Sequence, residues 1–306
     1  MKKDAANKIA LSVDVEDWFH DSEFHAGIEG ANERVIALKE RLPSVNLLER
    51  PINDLLDFYD EQNIKATFFI VADLLEDYKQ VFKQIVARGH EIGCHDLHHI
   101  AYTGIDVKKE EKLFFENIKQ AKYLLEDKLN TEVKGFRSPF AYFHYWMVEI
   151  LLNLGFQYDS SVAVNDLYNK LGDLKQIGLR QPFYWPASEN NKKLMELPWP
   201  YWSIFKFRLP VGGGPAFRML GPHIPILGLK QTLQYGDTSF YIHPLDISDE
   251  PLPELVMCGK ESFWRNKGEK TFLWYKKVIK HFSGNWRTCK EIWQRNKENN
   301  IFIKPQ

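Results

Sequence analysis

Two histidines, His95 and His99, stand four residues apart directly after a short apolar segment. If this segment forms one helical turn, residues i and i+4 lie on the same face, so both imidazoles can reach one divalent ion. Borderline metals such as zinc accept neutral imidazole nitrogens readily. The spacing therefore indicates a metal site, for which a third, anionic ligand must come from elsewhere in the chain. The competing interpretation of such a pair is a solvated helix face.

A cluster of carboxylates follows the first apolar segment. Residues 8–15 predict a buried strand, and Asp14, Glu16 and Asp17 stand at its end. The carboxyl ends of strands are where α/β enzymes keep their chemistry. Side chains alternate along a strand, which places Asp14 and Glu16 on one face and Asp17 on the other. If Asp14 faces the site, Glu16 faces it as well, whereas Asp17 would face it only if a turn follows Val15.

Polar residues follow later strand-like segments in the same way. Strands are predicted at 65–71, 91–94, 133–136 and 239–242, with helices between the first three of these at about 78–88 and 108–129 and another at about 146–154. Alternation of this kind is typical of a parallel sheet, either a barrel or a doubly wound fold. The carboxyl ends of such strands meet at one edge, and the polar residues that the pattern brings there are Arg137, Asp159 and His243.

Other segments give weaker signals. Residues 21–50 show no clear period and predict a long loop with a short helix, and shorter strand-like pieces follow Asp166. The run Gly212 to Gly214 lacks a following Lys-Ser/Thr and any apparent helix start, which predicts a tight backbone path rather than a phosphate loop. Residues 270–294 predict one or two helices that pack against the sheet. Trp199, Tyr201 and Trp202 are expected in the core or a cleft wall.

The composition describes an ordinary globular protein with balanced charge. Of the 306 residues, 44% are hydrophobic and 14% aromatic, and the formal net charge is -1. A nucleic-acid binder needs a basic surface, so this charge argues against such a partner. A chain of this length fits one large α/β domain.

The sequence shows no export signal or membrane-spanning segment. The apolar residues 9–13 are too few for the core of a signal peptide, and no run reaches the roughly 18 apolar residues that cross a bilayer. A cytoplasmic location is the expectation, with peripheral membrane contact and oligomeric state left open. The three cysteines, Cys94, Cys258 and Cys289, lack Cys-x-x-Cys spacing, which predicts reduced thiols.

Taken in order, these residues resemble the motifs of polysaccharide deacetylases of the NodB-homology group, carbohydrate esterase family 4. The resemblance covers roughly residues 8–245. His95 to His99 is similar to the family's second motif, H-S/T-x-x-H, with Asp96 in place of the small hydroxyl residue. Arg137 to Phe140 is similar to the third, R-x-P-x. Asp14 with Glu16 or Asp17 resembles the first motif, Asp159 resembles the fourth, and His243 resembles the fifth.

The chain also resembles the branch of this family linked to bacterial exopolysaccharide and surface-glycan synthesis. That similarity lies in residues 12–18, 212–218 and 240–244. One departure concerns the first motif, because typical members have two adjacent Asp residues and Val15 occupies the second place here. An Asp-x-Asp/Glu variant occurs in the wider family, and it would make Asp14 the base and Glu16 the ligand.

The resemblance implies a distorted (β/α)7-type barrel with extra short strands and C-terminal helices. A single deacetylase-like domain would span residues 1–306, with the catalytic barrel at about 8–245 and a helical extension at about 246–306. The implied metal ligands are Glu16, His95 and His99. The implied ion is Zn²⁺, with Co²⁺, Ni²⁺ and Mn²⁺ as further options, and it would acidify water and polarise the substrate carbonyl.

The resemblance also implies roles for the remaining residues in removing an N-acetyl group from an amino sugar. Asp14 would accept the proton from water, and Arg137 would hold and orient that carboxylate. The backbone N–H of Phe140, after Pro139, would donate to the oxyanion. The implied acid that protonates the leaving amine is His243, with Asp159 favouring its imidazolium form.

The expected substrate is an N-acetylated glycan of a surface polysaccharide or O-antigen, or its lipid-linked glycolipid precursor. One alternative is a hydrolase that cleaves a non-sugar carbon-nitrogen bond on the same barrel. Another is a catalytically inactive homologue that binds glycans, which the departure at Val15 keeps open.

Overall fold

The computed structural model describes residues 6–20, 46–163, 180–187, 192–252, 262–298 and 301–303. Strands and helices alternate through its first half, as the apolar periodicity predicts. The elements are β1 (Ile9–Val15), α1 (Glu49–Glu61), β2 (Thr67–Ile70), α2 (Leu75–Ala87), β3 (Glu91–Cys94), α3 (Val107–Leu129), β4 (Gly135–Phe136), α4 (Trp146–Asn153) and β5 (Tyr158–Asp159).

The second half has shorter strands, two of which form a separate hairpin. Its elements are β6 (Phe183–Pro186), β7 (Lys193–Glu196), β8 (Tyr201–Ile204), β9 (Phe207–Pro210), α5 (Gly214–Leu220), α6 (His223–Thr232), β10 (Thr238–Ile242), α7 (Pro244–Ile247), α8 (Glu269–His281), β11 (Trp286–Arg287) and α9 (Cys289–Arg295). Most of the predicted loop at 21–50 lies outside the described residues, and α1 begins within its end.

Nine strands form one sheet within the described ranges. Their order is β10-β1-β2-β3-β4-β5-β7-β6, with β11 also beside β1, and β6 is antiparallel to β7 while the other pairs are parallel. The predicted distorted barrel is confirmed as a mixed α/β half-barrel. The described strands leave it open, because no pairing joins β10 to β6.

The central strands are covered on both faces, which explains their unbroken apolar runs. All seven residues of β1 and all four of β2 are buried. Parallel strands in α/β proteins have helices or packed side chains on each face, so they need no polar alternation. This burial holds the carboxyl end of β1, with Asp14, in a rigid position.

The tail differs from the prediction of helices alone, because it also supplies β11. In this strand Trp286 and Arg287 pair in parallel with Ile9 and Ala10 of β1. The predicted helices are present on either side as α8 and α9, and the Tyr275 hydroxyl of α8 lies 2.5 Å from that of Tyr59 in α1. The tail is therefore part of the sheet.

The glycine run takes the tight path predicted for it, but the expectation of no helix start there is wrong. A Cβ at Gly213 would lie 2.7 Å from Ile242 Cα and from the Tyr241 carbonyl oxygen, so only glycine fits against β10. Helix α5 begins at Gly214, followed by Pro215 at a position where a missing N–H costs no hydrogen bond.

Candidate active site and metal centre

A cavity of about 380 Å³ opens at the carboxyl ends of β1, β3 and β10. Its wall combines carboxylates and imidazoles predicted from the sequence with aromatic and aliphatic residues. The first set includes Asp14, Glu16, His95 and His243, and the second, the apolar wall, includes Trp199, Val211, Met219, Leu245, Phe263 and Trp264.

The histidine pair lies on a loop after β3, so the expectation of a helical turn is wrong. Asp96 and His99 have φ values of 73° and 59°, in the left-handed region that interrupts a helix. The Asp96 carboxylate accepts hydrogen bonds from the Ile100 N–H at 2.7 Å and the Tyr102 hydroxyl at 3.0 Å. Asp96 thereby fixes the loop that carries both imidazoles.

The predicted ligands Glu16, His95 and His99 lie together, and Glu16 and His95 line the cavity. Glu16 Oε1 is 3.0 Å from His95 Nε2 and 3.1 Å from His99 Nε2. Ligands about 2.1 Å from a tetrahedral ion are about 3.4 Å apart, so a small outward movement would admit one. The Nδ1 of His95 lies 2.8 Å from the Arg137 carbonyl oxygen, which directs the Nε2 lone pair toward Glu16.

The environment of His99 fits a metal ligand better than a hydrogen-bonded core residue. The ring is 4% exposed, and within the described residues neither of its nitrogens has a hydrogen bond of acceptable geometry. Burial lowers the pKa of His99 to about 4, so the imidazole is neutral at physiological pH. Burial opposes ionisation of Glu16, but the imidazoles of His99, His243 and His95 keep the pKa of this carboxyl well below its usual range. Two imidazoles and a carboxylate are donors that suit a borderline divalent ion.

Asp17, the alternative ligand, lines the cavity but lies outside this group. Its carboxylate accepts hydrogen bonds from its neighbour Trp18 N–H at 2.7 Å and from the Tyr78 hydroxyl at 2.8 Å. Burial raises its pKa. The geometry therefore favours Glu16, although β1 already ends at Val15.

Arg137 holds Asp14 in place beside the ligand group. Its Nη1 lies 2.5 Å from Asp14 Oδ1 and donates at 2.9 Å to Ser12 Oγ, while Nε and Nη2 donate to the carbonyl and hydroxyl oxygens of Ser160. Ser12 and Asp14 are two residues apart and so share one face of β1. The guanidinium is fully buried, with Cζ 4.3 Å from the centre of the Phe69 ring. These contacts fix the Asp14 carboxylate at the cavity wall.

His243 meets the same group from β10, and its carboxylate partner is Asp246. The Nε2 of His243 is 3.7 Å from Glu16 Oε1, and its Nδ1 is 3.0 Å from Asp246 Oδ2. Burial opposes the charged imidazolium, but Glu16 and Asp246 together raise the pKa of His243 to about 9. Asp246 is itself held by the Gly214 N–H and by the buried Arg218 guanidinium.

The expectation that Asp159 supports His243 is wrong, because its contacts lie elsewhere. The Asp159 carboxylate accepts from the Ser161 hydroxyl at 2.6 Å and from the Ser161 N–H at 3.0 Å. It also pairs with the buried Glu196 of β7, and burial raises the pKa of both carboxyls. Asp159 therefore belongs to the pairing of β5 with β7.

Sequence reasoning missed Asp246, although a local signal was present. The segment His243 to Asp246 places proline at the first position of α7 and an acid two residues later, where it bonds both the backbone and the side chain of His243. An acid at this position of a capping box folds back onto the residue before the helix.

The predicted oxyanion segment borders the cavity. Phe140 has φ 55°, and its ring lies edge-on to His99 with centroids 4.3 Å apart, whereas Pro139 is buried outside the cavity lining. The role of the Phe140 N–H stays a prediction. Trp199 lines the cavity and donates from Nε1 to the Ser160 carbonyl, and Tyr201 is buried outside it.

Two neighbouring regions of the chain match family models. Residues 49–158 match the polysaccharide deacetylase model, and residues 169–294 match a domain of unknown function, DUF3473. The chain is 30% identical over 122 residues to a peptidoglycan deacetylase of Helicobacter pylori, a match that spans 39% of this chain and 40% of that protein. The chain thus matches less than half of that relative's length.

Solved structures with low sequence identity share the fold. A Mycobacterium smegmatis structure assigned provisionally to the polysaccharide deacetylases superposes with a TM-score of 0.59 at 16% identity, covering 100% of this chain and 97% of that one. The PuuE allantoinase gives 0.55 at 14% identity over 97% and 93%. A carbohydrate esterase family 4 pseudoenzyme of Bacillus anthracis, BA3943, gives 0.51 at 11% identity over 94% and 65%. The chain thus contains a region similar to the polysaccharide deacetylase family, followed by a region similar to DUF3473.

Proposed function

We propose that this protein is a metal-dependent hydrolase that removes N-acetyl groups from an amino sugar of a surface polysaccharide, an O-antigen or a lipid-linked precursor. The observation that carries the proposal is the convergence of three functional units on one cavity. These are the Glu16, His95 and His99 ligand group, the Arg137-held carboxylate of Asp14, and the Asp246-held imidazole of His243.

The ligand group would hold a divalent ion of the zinc type. When bound, such an ion would polarise the acetyl carbonyl and make water more acidic. The described donors suit it, because two buried imidazole nitrogens and one carboxylate oxygen face a common point. That the ion is of the zinc type is part of what we propose.

Asp14 and His243 would handle the protons on the two sides of the scissile amide. Asp14 is the base, since Arg137 fixes its carboxylate beside Glu16 and the donor atoms of Asp14, Glu16 and His243 lie within 4.8 Å of one another. His243 is the acid, since its Nδ1 donates to Asp246 and leaves a protonated Nε2 facing the cavity. The Asp246 carboxylate favours the imidazolium form, and transfer of the Nε2 proton to the leaving nitrogen releases a free amine with acetate.

The apolar wall gives the cavity a surface that suits a sugar ring. Trp199 and Tyr241 pack with ring centroids 4.4 Å apart, and Arg137 lies 5.4 Å from the Trp199 ring. Aromatic faces beside a few placed polar groups are typical of ligand sites. Among the relatives, the match to a peptidoglycan deacetylase supports an N-acetylated glycan as substrate.

The direct test combines metal analysis with acetate release from N-acetyl glycans. Wild-type protein should copurify with about one divalent ion and release acetate, and Asp14→Asn should keep the ion while losing turnover, because Glu16, His95 and His99 remain to hold it. Full activity of Asp14→Asn would reject Asp14 as the base.

The same test separates the alternatives. Bound metal with cleavage only of non-sugar amides would support the second candidate, which shares its fold with the PuuE allantoinase. Metal-free protein without amide cleavage would support an inactive homologue of the kind represented by BA3943.

A further inference from the structure

The hairpin of β8 and β9 exposes two aromatic side chains at its tip. Phe205 is 98% and Phe207 is 68% exposed. Ile204 pairs with Phe207, so Phe205 and Lys206 form a two-residue turn, and Phe205 adopts φ 52°. Such turns favour asparagine and glycine because a bulky side chain is strained at positive φ. Folding of the hairpin therefore gives no reason for an exposed phenylalanine at this position.

The hairpin lies in a long stretch without acidic residues. Residues 197–236 contain no Asp or Glu and four basic residues, Lys206, Arg208, Arg218 and Lys230. The whole chain has 41 acidic residues in 306, a density that would place about five in a stretch of this length. Arg218 is buried against Asp246, whereas Lys206 and Lys230 are exposed and Arg208 is half-buried. A chain with a net charge of -1 thus concentrates positive charge beside the exposed aromatics.

The base of the hairpin forms part of the cavity wall. Pro200 precedes β8, Pro210 ends β9, and both line the cavity together with Val211. Each strand has four residues, which places the tip about 15 Å from that wall at the usual strand rise. Further exposed apolar residues follow on α5 and α6, with Met219 at 65%, Leu220 at 43% and Leu227 at 43%, and Met219 also lines the cavity.

We propose that the β8–β9 hairpin docks the protein on an anionic lipid bilayer, with Phe205 and Phe207 inserted at the headgroup boundary. Aromatic and aliphatic side chains partition into that boundary, and neighbouring lysine and arginine side chains bind lipid phosphates. Residues 197–236 themselves contribute no carboxylate that an anionic surface would repel. A bilayer is favoured over a soluble glycan because the aromatics project from a hairpin tip.

Docking at this place would refine the proposed function, and the docking proposal relies on that function for the identity of the substrate. It would hold the cavity beside a glycan that is carried on a lipid or assembled at the bilayer surface. Binding of vesicles does not itself depend on amide cleavage, so the two proposals can fail separately.

Vesicle sedimentation of the full chain tests the proposal. Wild-type protein should bind vesicles of phosphatidylcholine mixed with phosphatidylglycerol more tightly than vesicles of phosphatidylcholine alone, with affinity falling as salt rises. The Phe205→Ser/Phe207→Ser double variant should lose about tenfold or more in partition coefficient. Lys206→Glu should weaken binding to the anionic vesicles specifically. Tyr123→Ser on α3, at a site 66% exposed, is the matched control and should bind like wild type.

Three outcomes would overturn the proposal. These are absence of wild-type binding to anionic vesicles, unchanged binding by the double variant, and hairpin-dependent binding to a soluble anionic polysaccharide but not to vesicles. Acetate release from soluble N-acetyl oligosaccharides should be equal in wild type and the double variant, because neither aromatic lines the cavity. Absence of that release from wild type would count against the proposed function alone.

Discussion

Asp246→Asn is the substitution that most directly tests how His243 is supported. The wild-type carboxylate neutralises Arg218 and bonds both Nδ1 and the backbone N–H of His243. The asparagine keeps the size of the side chain but removes its charge. Two effects should follow, one on stability through Arg218 and one on turnover through His243.

The expected magnitudes come from the burial of this network. Arg218 is 1% exposed and Asp246 is fully buried, and leaving one partner of a buried ion pair without its counter-charge costs about 3–5 kcal/mol. At about 2 °C per kcal/mol for a protein of this size, the Tm should fall by about 6–10 °C. Loss of the carboxylate that orients and charges the proposed general acid should lower kcat by about 10²–10⁴.

The double variant Arg218→Met/Asp246→Asn separates the two effects. It removes the unpaired guanidinium together with the carboxylate, so most of the lost Tm should return while kcat stays at least about 100-fold low. Thermal unfolding and acetate release are measured on wild type, both single variants and the double variant. If the double variant regained both Tm and kcat, Asp246 would be only a counter-ion for Arg218, and the inferred support of His243 would be refuted.

Three further outcomes are expected. Asp159→Asn should keep kcat within about threefold of wild type in the same assay, because Asp159 contacts Ser161 and Glu196 rather than His243, and a loss near that of Asp246→Asn would contradict this. Glu16→Gln should abolish copurifying metal while Asp17→Asn should retain it, as measured by elemental analysis, and the reverse pattern would assign the ligand to Asp17. Burial lowers the pKa of His90 to about 4, so as pH falls this imidazole binds a proton in the unfolded chain before it does so in the folded protein. Up to about 3 kcal/mol of the free energy of unfolding should therefore be lost as pH falls from about 6.5 to 4. His90→Asn, which can still accept the Ala66 N–H, should flatten that part of the profile in denaturant unfolding, and an unchanged slope would contradict it.

The residues at strand ends were predictable because hydrophobic runs mark buried strands and parallel strands present their carboxyl ends at one edge. Asp14, Arg137 and His243 converge for this reason. The path of the loop from His95 to His99 was not predictable from spacing, since it depends on hydrogen bonds to Asp96 that form only when Tyr102 packs beside it. Spacing alone suggested a helix, and the positive φ values contradict it.

The predicted support of His243 by Asp159 was wrong because the order of strands along the sequence does not reveal which strand lies beside Asp159 in the sheet. The partner of Asp159 is Glu196, which comes into register only when β7 pairs with β5 and β6 turns back beside it. Asp246, by contrast, was within reach of sequence reasoning, since the His-Pro-x-Asp spacing is a local capping pattern.

The neighbours of β1 impose an order on biosynthesis. Its residues Ile9 and Ala10 pair with β10 and with β11, so this edge of β1 stays unpaired until those later strands have been synthesised. The carboxylates that β1 carries toward the cavity therefore meet the imidazole that follows β10 only after β10 has been synthesised. A nascent chain stalled before β10 should be inert and should present β1 to chaperones as an unpaired edge.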